Sequence, residues 1–277
     1  MKKDIYQLIT DRIIERLEQG EIAWKRPYTA AQPVNWTTQK PYRGINTLLL
    51  DEGEYATFKQ IKDAGGKVKK GQKGKQIIFW KLVDSEDKDT GKETKIPLLR
   101  TYTVFEVNQQ AEGISSKLNG AKTAKTAHER HEQAESIIKN YPNKPKLIVE
   151  SGVPCYYPSK DTVKMPNIND FISMESYYST FFHELVHSTG SKDRLNREGI
   201  VNFDSFGTEQ YSKEELIAEM GANMLCMEVG INTELTDDNS LAYIQNWIKV
   251  LKQDKKFIVT AAQKAQQAVD HILDTNF

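Results

Sequence analysis

The feature that most constrains this chain of 277 residues is the run His183-Glu184-Leu185-Val186-His187. Two histidines at i and i+4 lie on one face of an α-helix, so both imidazoles can reach one ion. The glutamate beside the first can reach a water held there. The surroundings sharpen the pattern: Tyr177, Tyr178, Phe181, Phe182, Leu185 and Val186 wrap the pair in bulky apolar side chains. They predict a buried helix over about 175–189, where two histidines and a glutamate without a partner would be costly. A metal ion satisfies all three. Zinc suits histidine and carboxylate donors, as does another divalent transition metal.

A catalytic zinc takes three protein ligands and keeps one position open. Two residues compete to be the third. Glu215 and Glu219 stand four apart on an amphipathic helix expected over 212–229. There Glu215 binds the ion, Glu219 orients a ligand histidine through its distal nitrogen, and Glu214 points elsewhere. Alternatively, Gly190 and Asp193 extend the motif as H-E-x-x-H-x-x-G-x-x-D, and Asp193 closes the site. Glu215 is preferred. A helix capped by Ser212 would account for Glu214 and Glu215 near its positive end, but not for Glu219 among Leu216, Ile217 and Met220. With the site complete, Glu184 is the general base of a metal-assisted peptide-bond hydrolysis. Val163–Met165 reads as an edge strand able to hold an extended peptide. The hydroxyls of Tyr177 and Tyr178 are candidates to bond an oxyanion, with packing as their competing role.

The chain carries 38 basic and 38 acidic side chains, but residues 1–125 hold 23 basic against 16 acidic. That asymmetry marks two modules with different partners. The first begins with a helix over 3–19 closed by Gly20. An ordered loop, a short helix near 46–50 and a helix over 57–63 capped by Thr57 follow. Lys67–Lys69 and Gln76–Leu82 are expected to form a hairpin across Gly71-Gln72-Lys73-Gly74, and 84–95 a charged loop before a strand at 100–108. Residues 109–125 have almost no apolar content and read as a linker. The second module has a helix at 126–140, strands at 146–150, 154–157 and 163–165, and helices at 212–229, 240–252 and 254–273. The fold class is therefore α+β with two domains, 1–108 and 126–277, the second mainly helical.

Within the first module, aromatic and cationic residues interleave: Trp24, Lys25, Arg26, Tyr28, Trp36, Lys40, Tyr42 and Arg43, then Lys67, Lys69, Lys70, Lys73, Lys75, Phe79, Trp80 and Lys81. Aromatic faces stack on splayed bases while cations follow phosphates, which is how single strands are held without sequence readout. Buried tryptophans and a solvated lysine face are the competing account. No groove-reading helix or zinc finger is recognisable, which favours single-stranded DNA over duplex. Other classes fall away. No apolar run of about 18 residues spans a membrane. Asp11, Glu15 and Glu18 interrupt any leader, and Cys155 and Cys226 stand alone, so a reducing cytoplasm is the expected home.

Together, Asn35-Trp36, Tyr42-Arg43-Gly44-Ile45-Asn46, Thr57-Phe58-Lys59-Gln60 and Gly66-Lys67-Val68-Lys69-Lys70-Gly71 resemble the N-terminal single-stranded-DNA-binding domain of the ArdC antirestriction family. His183 through Gly190 with Arg194-Leu195, and Glu214-Glu215-Leu216-Ile217-Ala218-Glu219, resemble its zincin-like metallopeptidase partner. The resemblance covers nearly the whole chain. It implies a protein of conjugative or other mobile elements that guards incoming single-stranded DNA against host restriction. The alternative is a strand-coating protein whose metal site is structural; in either case the protein substrate is unnamed.

Overall fold

The computed structural model describes residues 4–22, 24, 32–86, 93–118, 125–202, 208–231 and 239–275. The chain divides into two compact units, one of residues 32–122 and one of residues 1–31 with 123–277. The first helix, α1 (Ile5–Glu18), is capped by Asp4 and buries Ile9, Ile13, Ile14 and Leu17 along one stripe. It belongs to the second unit.

The unit of 32–122 contains β1 (Val34–Asn35), α2 (Asn46–Leu49), β2 (Glu54–Thr57), α3 (Phe58–Asp63), β3 (Lys67–Val68), β4 (Lys75–Glu86), β5 (Glu93–Glu106), α4 (Val107–Gln110) and β6 (Ala111–Glu112). Its main sheet runs β1-β2-β5-β4, with β1 parallel to β2 and the other pairs antiparallel. Alternation along β2 builds two cores. Tyr55 joins Leu50, Ile77 and Val104 on one face, and Ala56 joins Trp36, Ile61, Val107 and Ala111 on the other. Thr57 and Gln60 form a reciprocal capping box that starts α3 directly from the strand. The outer edge of β4 is occupied at Ile78, whose N–H and C=O both bond the side-chain amide of Asn46, at 2.8 and 2.7 Å. An asparagine here stands in for a strand partner.

The second unit continues with α5 (Ala127–Asn140), β7 (Lys146–Val149), β8 (Cys155–Tyr157), β9 (Thr162–Met165), α6 (Met174–Ser188), α7 (Glu198–Val201), α8 (Glu209–Val229), α9 (Asn239–Gln253) and α10 (Phe257–Ile272). The sheet order is β7-β9-β8. At the centre is α8, buried along most of its length and packed by α5, α6, α9 and α10. Small side chains on α10 (Ala261, Ala262, Ala265 and Ala268, all fully buried) let that helix lie close to it. α1 packs on α9.

Several expectations change. Lys67–Lys69 does not pair with the 76–82 strand: β3 pairs with β6, and β4 pairs with β5 from Lys75↔Val104 to Glu86↔Glu93. A two-residue strand cannot compete with so long an antiparallel ladder. That ladder also enters the segment expected to be a loop at 84–95, of which residues 87–92 lie outside the described part. Residues 109–118, expected as linker, instead close the first unit. Ala111 is buried, Trp36 Nε1 donates to the Ser115 carbonyl at 2.9 Å, and the Lys117 amide donates to Glu54 at 2.9 Å. Val163–Met165 is the middle strand of its sheet, so it offers no free edge. The edge strands are β7 and β8.

Trp24, expected to stack on bases, is 2% exposed and packs edge-on against Trp247 of α9 at 5.2 Å between ring centroids. It is a core residue of the second unit. Trp24→Ala should therefore cost about 3–5 kcal/mol in urea unfolding and leave affinity for DNA unchanged. Parental stability with weakened DNA binding would refute that placement.

Candidate metal centre

α6 is started by Ser173, whose hydroxyl accepts from the Ser176 amide at 3.0 Å, and it buries Tyr177, Tyr178, Phe181, Phe182 and Leu185. These side chains fix the helix in the core and turn the opposite face toward α8. The two helices meet where Gly221 faces Val186: a Cβ on Gly221 would lie 2.9 Å from both methyls of Val186. Only a residue without a side chain allows this approach. It carries Glu215 to the two histidines.

His183 Nε2 and His187 Nε2 stand 3.0 Å apart. Glu215 places Oε2 3.4 Å from the first and Oε1 3.3 Å from the second. A site roughly 2 Å from both nitrogens and a carboxylate oxygen fits within this triangle, as zinc–nitrogen and zinc–oxygen bonds require. His183, His187 and Glu215 are the group among the described residues whose ligand atoms converge in this way. Their donor chemistry suits a divalent transition metal. Asp193 is exposed and takes no part in the cluster.

The surrounding charges favour a cation. Glu219 Oε2 lies 3.5 Å from His183 Nδ1. Glu214, expected to point away, is buried with Oε1 3.5 Å from His187 Nδ1. The difference arises because Arg197, which also donates to the Val186 carbonyl, holds the Glu214 carboxylate against the last turn of α6, beside His187. Burial opposes charge on His187, but Glu215 and then Glu214 outweigh it and push its pKa up to about 9. His183 is raised well above its ordinary value, again against burial, by Glu215 and Glu219. Glu215 is held far below the carboxylate range by the two imidazoles, although its burial works the other way. What the pocket stabilises is positive charge between the rings.

Glu214 is held in turn by Arg197, a residue that no sequence motif singles out. The guanidinium donates to Glu214 through Nη2 at 2.6 Å and Nε at 3.1 Å, to Thr189 Oγ1 at 2.6 Å and to the Val186 carbonyl at 2.8 Å. It thus ties the last turn of α6 to α8. Gly190 and Gly199 make room for the pair. A Cβ on Gly190 would come within 3.0 Å of Arg197 Nη2, and one on Gly199 within 3.0 Å of Glu214 Cβ. The atom nearest to that Gly190 Cβ is Ile200 Cγ1, at 2.5 Å, so this glycine makes room for Ile200 of α7 together with the arginine. Glu184 is buried, and its Oε2 accepts the Tyr156 amide of β8 at 2.7 Å. Tyr178 donates its hydroxyl to Glu135 at 2.9 Å, and Tyr177 packs against Phe171, Tyr178 and Phe181, so both are framework.

The basic residues of the other unit form no comparable cluster among the described residues. Trp36, like Trp24, is core; Lys117 Nζ sits 4.0 Å over its ring. Tyr42 is half-buried against Tyr55, and Arg43 is half-buried. Lys67 pairs with Glu112, Lys69 donates to the Gln109 carbonyl, and Lys75 pairs with Asp51. Lys70 and Lys73 are exposed. Lys25 and Arg26 lie outside the described residues.

Residues 3–105 match the family model for the N-terminal domain of anti-restriction factor ArdC, and residues 132–264 match that for a zincin-like metallopeptidase, MPTase-PolyVal. The crystal structure of antirestriction ArdC protein from plasmid R388 superposes with a TM-score of 0.78. In its metal-free form it is 34% identical, covering 98% of this chain and 97% of that one. The Mn(II)-bound form has the same TM-score at 32% identity, covering 98% of each chain. Protein y4eC of Sinorhizobium fredii (strain NBRC 101917 / NGR234) is 31% identical over 96% of this chain and 91% of its own length. DNA primase TraC of Escherichia coli is 31% identical over 99% of this chain, which spans 27% of that protein.

Two outcomes follow from the geometry. Glu215→Ala should abolish stoichiometric divalent-metal uptake, measured by elemental analysis after metal loading, whereas Asp193→Ala should leave it intact; the reverse would move the third ligand to Asp193. Arg197→Met should cost about 3–5 kcal/mol of stability, because it strands a buried carboxylate, and adding Glu214→Leu should recover most of that loss. A single variant as stable as the parent would contradict this.

Proposed function

Because this chain belongs to the ArdC antirestriction family, with an ArdC-type N-terminal domain followed by a zincin-like metallopeptidase domain, we propose that it binds single-stranded DNA of a mobile element and protects it from host restriction, using a metal-dependent peptidase. The observation that carries the enzymatic half is the convergence of His183 Nε2, His187 Nε2 and the Glu215 carboxylate beside Glu184. The first three residues would hold a divalent ion, and zinc is the ion their donors prefer. When bound, such an ion polarises a carbonyl and acidifies a water.

The chain's own groups supply the rest. Glu184 lies next to His183 on the same helix, and its carboxylate takes the proton of the attacking water and returns it to the leaving amine. The Tyr156 amide fixes Oε2 for that exchange. The carboxylates of Glu219 and Glu214 stand 3.5 Å from the distal nitrogens of His183 and His187, close enough to favour those ring orientations by charge. β8, an edge strand whose Tyr156 amide bonds Glu184, lies beside the general base where an extended polypeptide would pass. The basic unit brings the peptidase to proteins on or near the strand. Among the described residues no helix is long and apolar enough to cross a membrane, and both cysteines are free; we place the protein in the cytoplasm.

Glu184→Gln tests this reading. It should lower peptide hydrolysis by about 100- to 10,000-fold while metal content and affinity for single-stranded DNA stay at parental values. Full restriction protection by this variant would remove proteolysis from the mechanism and leave a strand-coating protein with a structural metal.

A further inference from the structure

Of the rings that composition offers for base stacking, Trp24 and Trp36 are buried and Tyr42 is half-buried against Tyr55, whereas Phe79 is exposed. In the β4–β5 ladder, Ile77 faces Tyr102 and Phe79 faces Arg100. Alternation puts all four side chains on one face of the ribbon. At the base of that face Ile77 and Val104 are covered by Leu50 and Tyr55. Farther along, the cover ends: Phe79 is 49% exposed and Tyr102 41% exposed. These two are diagonal neighbours across the ladder, with ring centroids 6.2 Å apart and planes at 81°. Arg100, exposed, stands directly opposite Phe79.

From this juxtaposition we infer that Phe79, Tyr102 and Arg100 form a stacking platform for the bases of single-stranded DNA, a deeper assignment that rests on the strand-binding reading above. The occupant follows from the chemistry of the face. Two exposed rings give sequence-tolerant π surfaces, and the guanidinium beside them answers a phosphate or stacks in turn. The described side chains of this face, from Lys75 to Phe79 and from Arg100 to Val104, include no carboxylate. A protein partner would need no cation at the rim; a polyanion with flat, splayed bases uses every group present. The lysines of 67–75, of which Lys70 and Lys73 are exposed, then supply general attraction rather than the specific seat.

The test uses the full chain and a fluorescein-labelled oligo-dT of about 20 nucleotides, longer than one binding site. Phe79→Ala with Tyr102→Ala should weaken binding at least about tenfold, since stacking on each ring contributes of that order, without changing the salt slope. Phe79→Leu with Tyr102→Leu keeps apolar area but removes the rings, and should weaken binding as strongly. Arg100→Ala should weaken binding and flatten the log–log salt slope by about 0.7 for each phosphate that the guanidinium neutralises. Circular dichroism should show parental folding, because the three side chains are exposed. Parental affinity in the leucine pair overturns the platform while leaving strand binding in place. A parental protein that binds no oligo-dT overturns both.

Discussion

Two imidazoles on one helix face three carboxylates on another, and the register between those helices decides whether the chain has a metal centre at all. The imidazoles come from one turn of α6; the carboxylates of Glu214, Glu215 and Glu219 come from α8. Neither helix alone holds a cation well. The contact of Gly221 with Val186 sets their spacing, and Arg197 fixes the end of one to the side of the other. Each imidazole then has a carboxylate behind it, and one carboxylate reaches both rings in front. Burial disfavours the charges, but the arrangement overcomes it through short-range pairing, as the direction of every shift at His183, His187 and Glu215 records. Such a pocket is expensive for a purely structural purpose, because like-sized apolar residues would pack there at no electrostatic cost.

Much of this is legible in the residues. The i, i+4 histidines, the aromatic wrap of α6 and the spacing of Glu215 and Glu219 each follow from helical periodicity, which operates within one element. Capping is equally local, as at Thr57 and Thr126. What the sequence conceals depends on contacts between elements. Glu214 reads as an N-terminal helix charge when Ser212 is taken as the cap, but the helix starts four residues earlier, at Thr208. Arg197 sits in a stretch without periodicity, and nothing nearby in sequence shows that its partner is Glu214. Its one local sign is Gly190, which leaves space for Ile200 and the guanidinium.

The first module shows the same division more sharply. Composition cannot tell a buried tryptophan from an exposed one, so Trp24 and Trp36 read as stacking residues until their surroundings are known. Trp24 belongs to the core of the unit built mostly from the C-terminal half, where α1 packs on α9 and Trp24 on Trp247. Strand partners differ from expectation for a related reason. A glycine-containing turn between Lys69 and Lys75 suggests a local hairpin, but the longer β5 offers far more backbone pairing. Among the described residues of this unit Phe58, Phe79 and Tyr102 leave their rings exposed; the sequence offers Phe79 among its interleaved aromatics, but only register shows that Tyr102 shares its face and which side of the ribbon is covered.

The most direct test is X-ray absorption at the metal edge of the zinc-loaded protein in solution. The account requires two imidazole nitrogens, one carboxylate oxygen and a fourth position that exchanges with solvent. Four protein ligands with no exchangeable position would mean a closed structural site, and a shell of oxygens without imidazole would mean that His183 and His187 do not hold the ion.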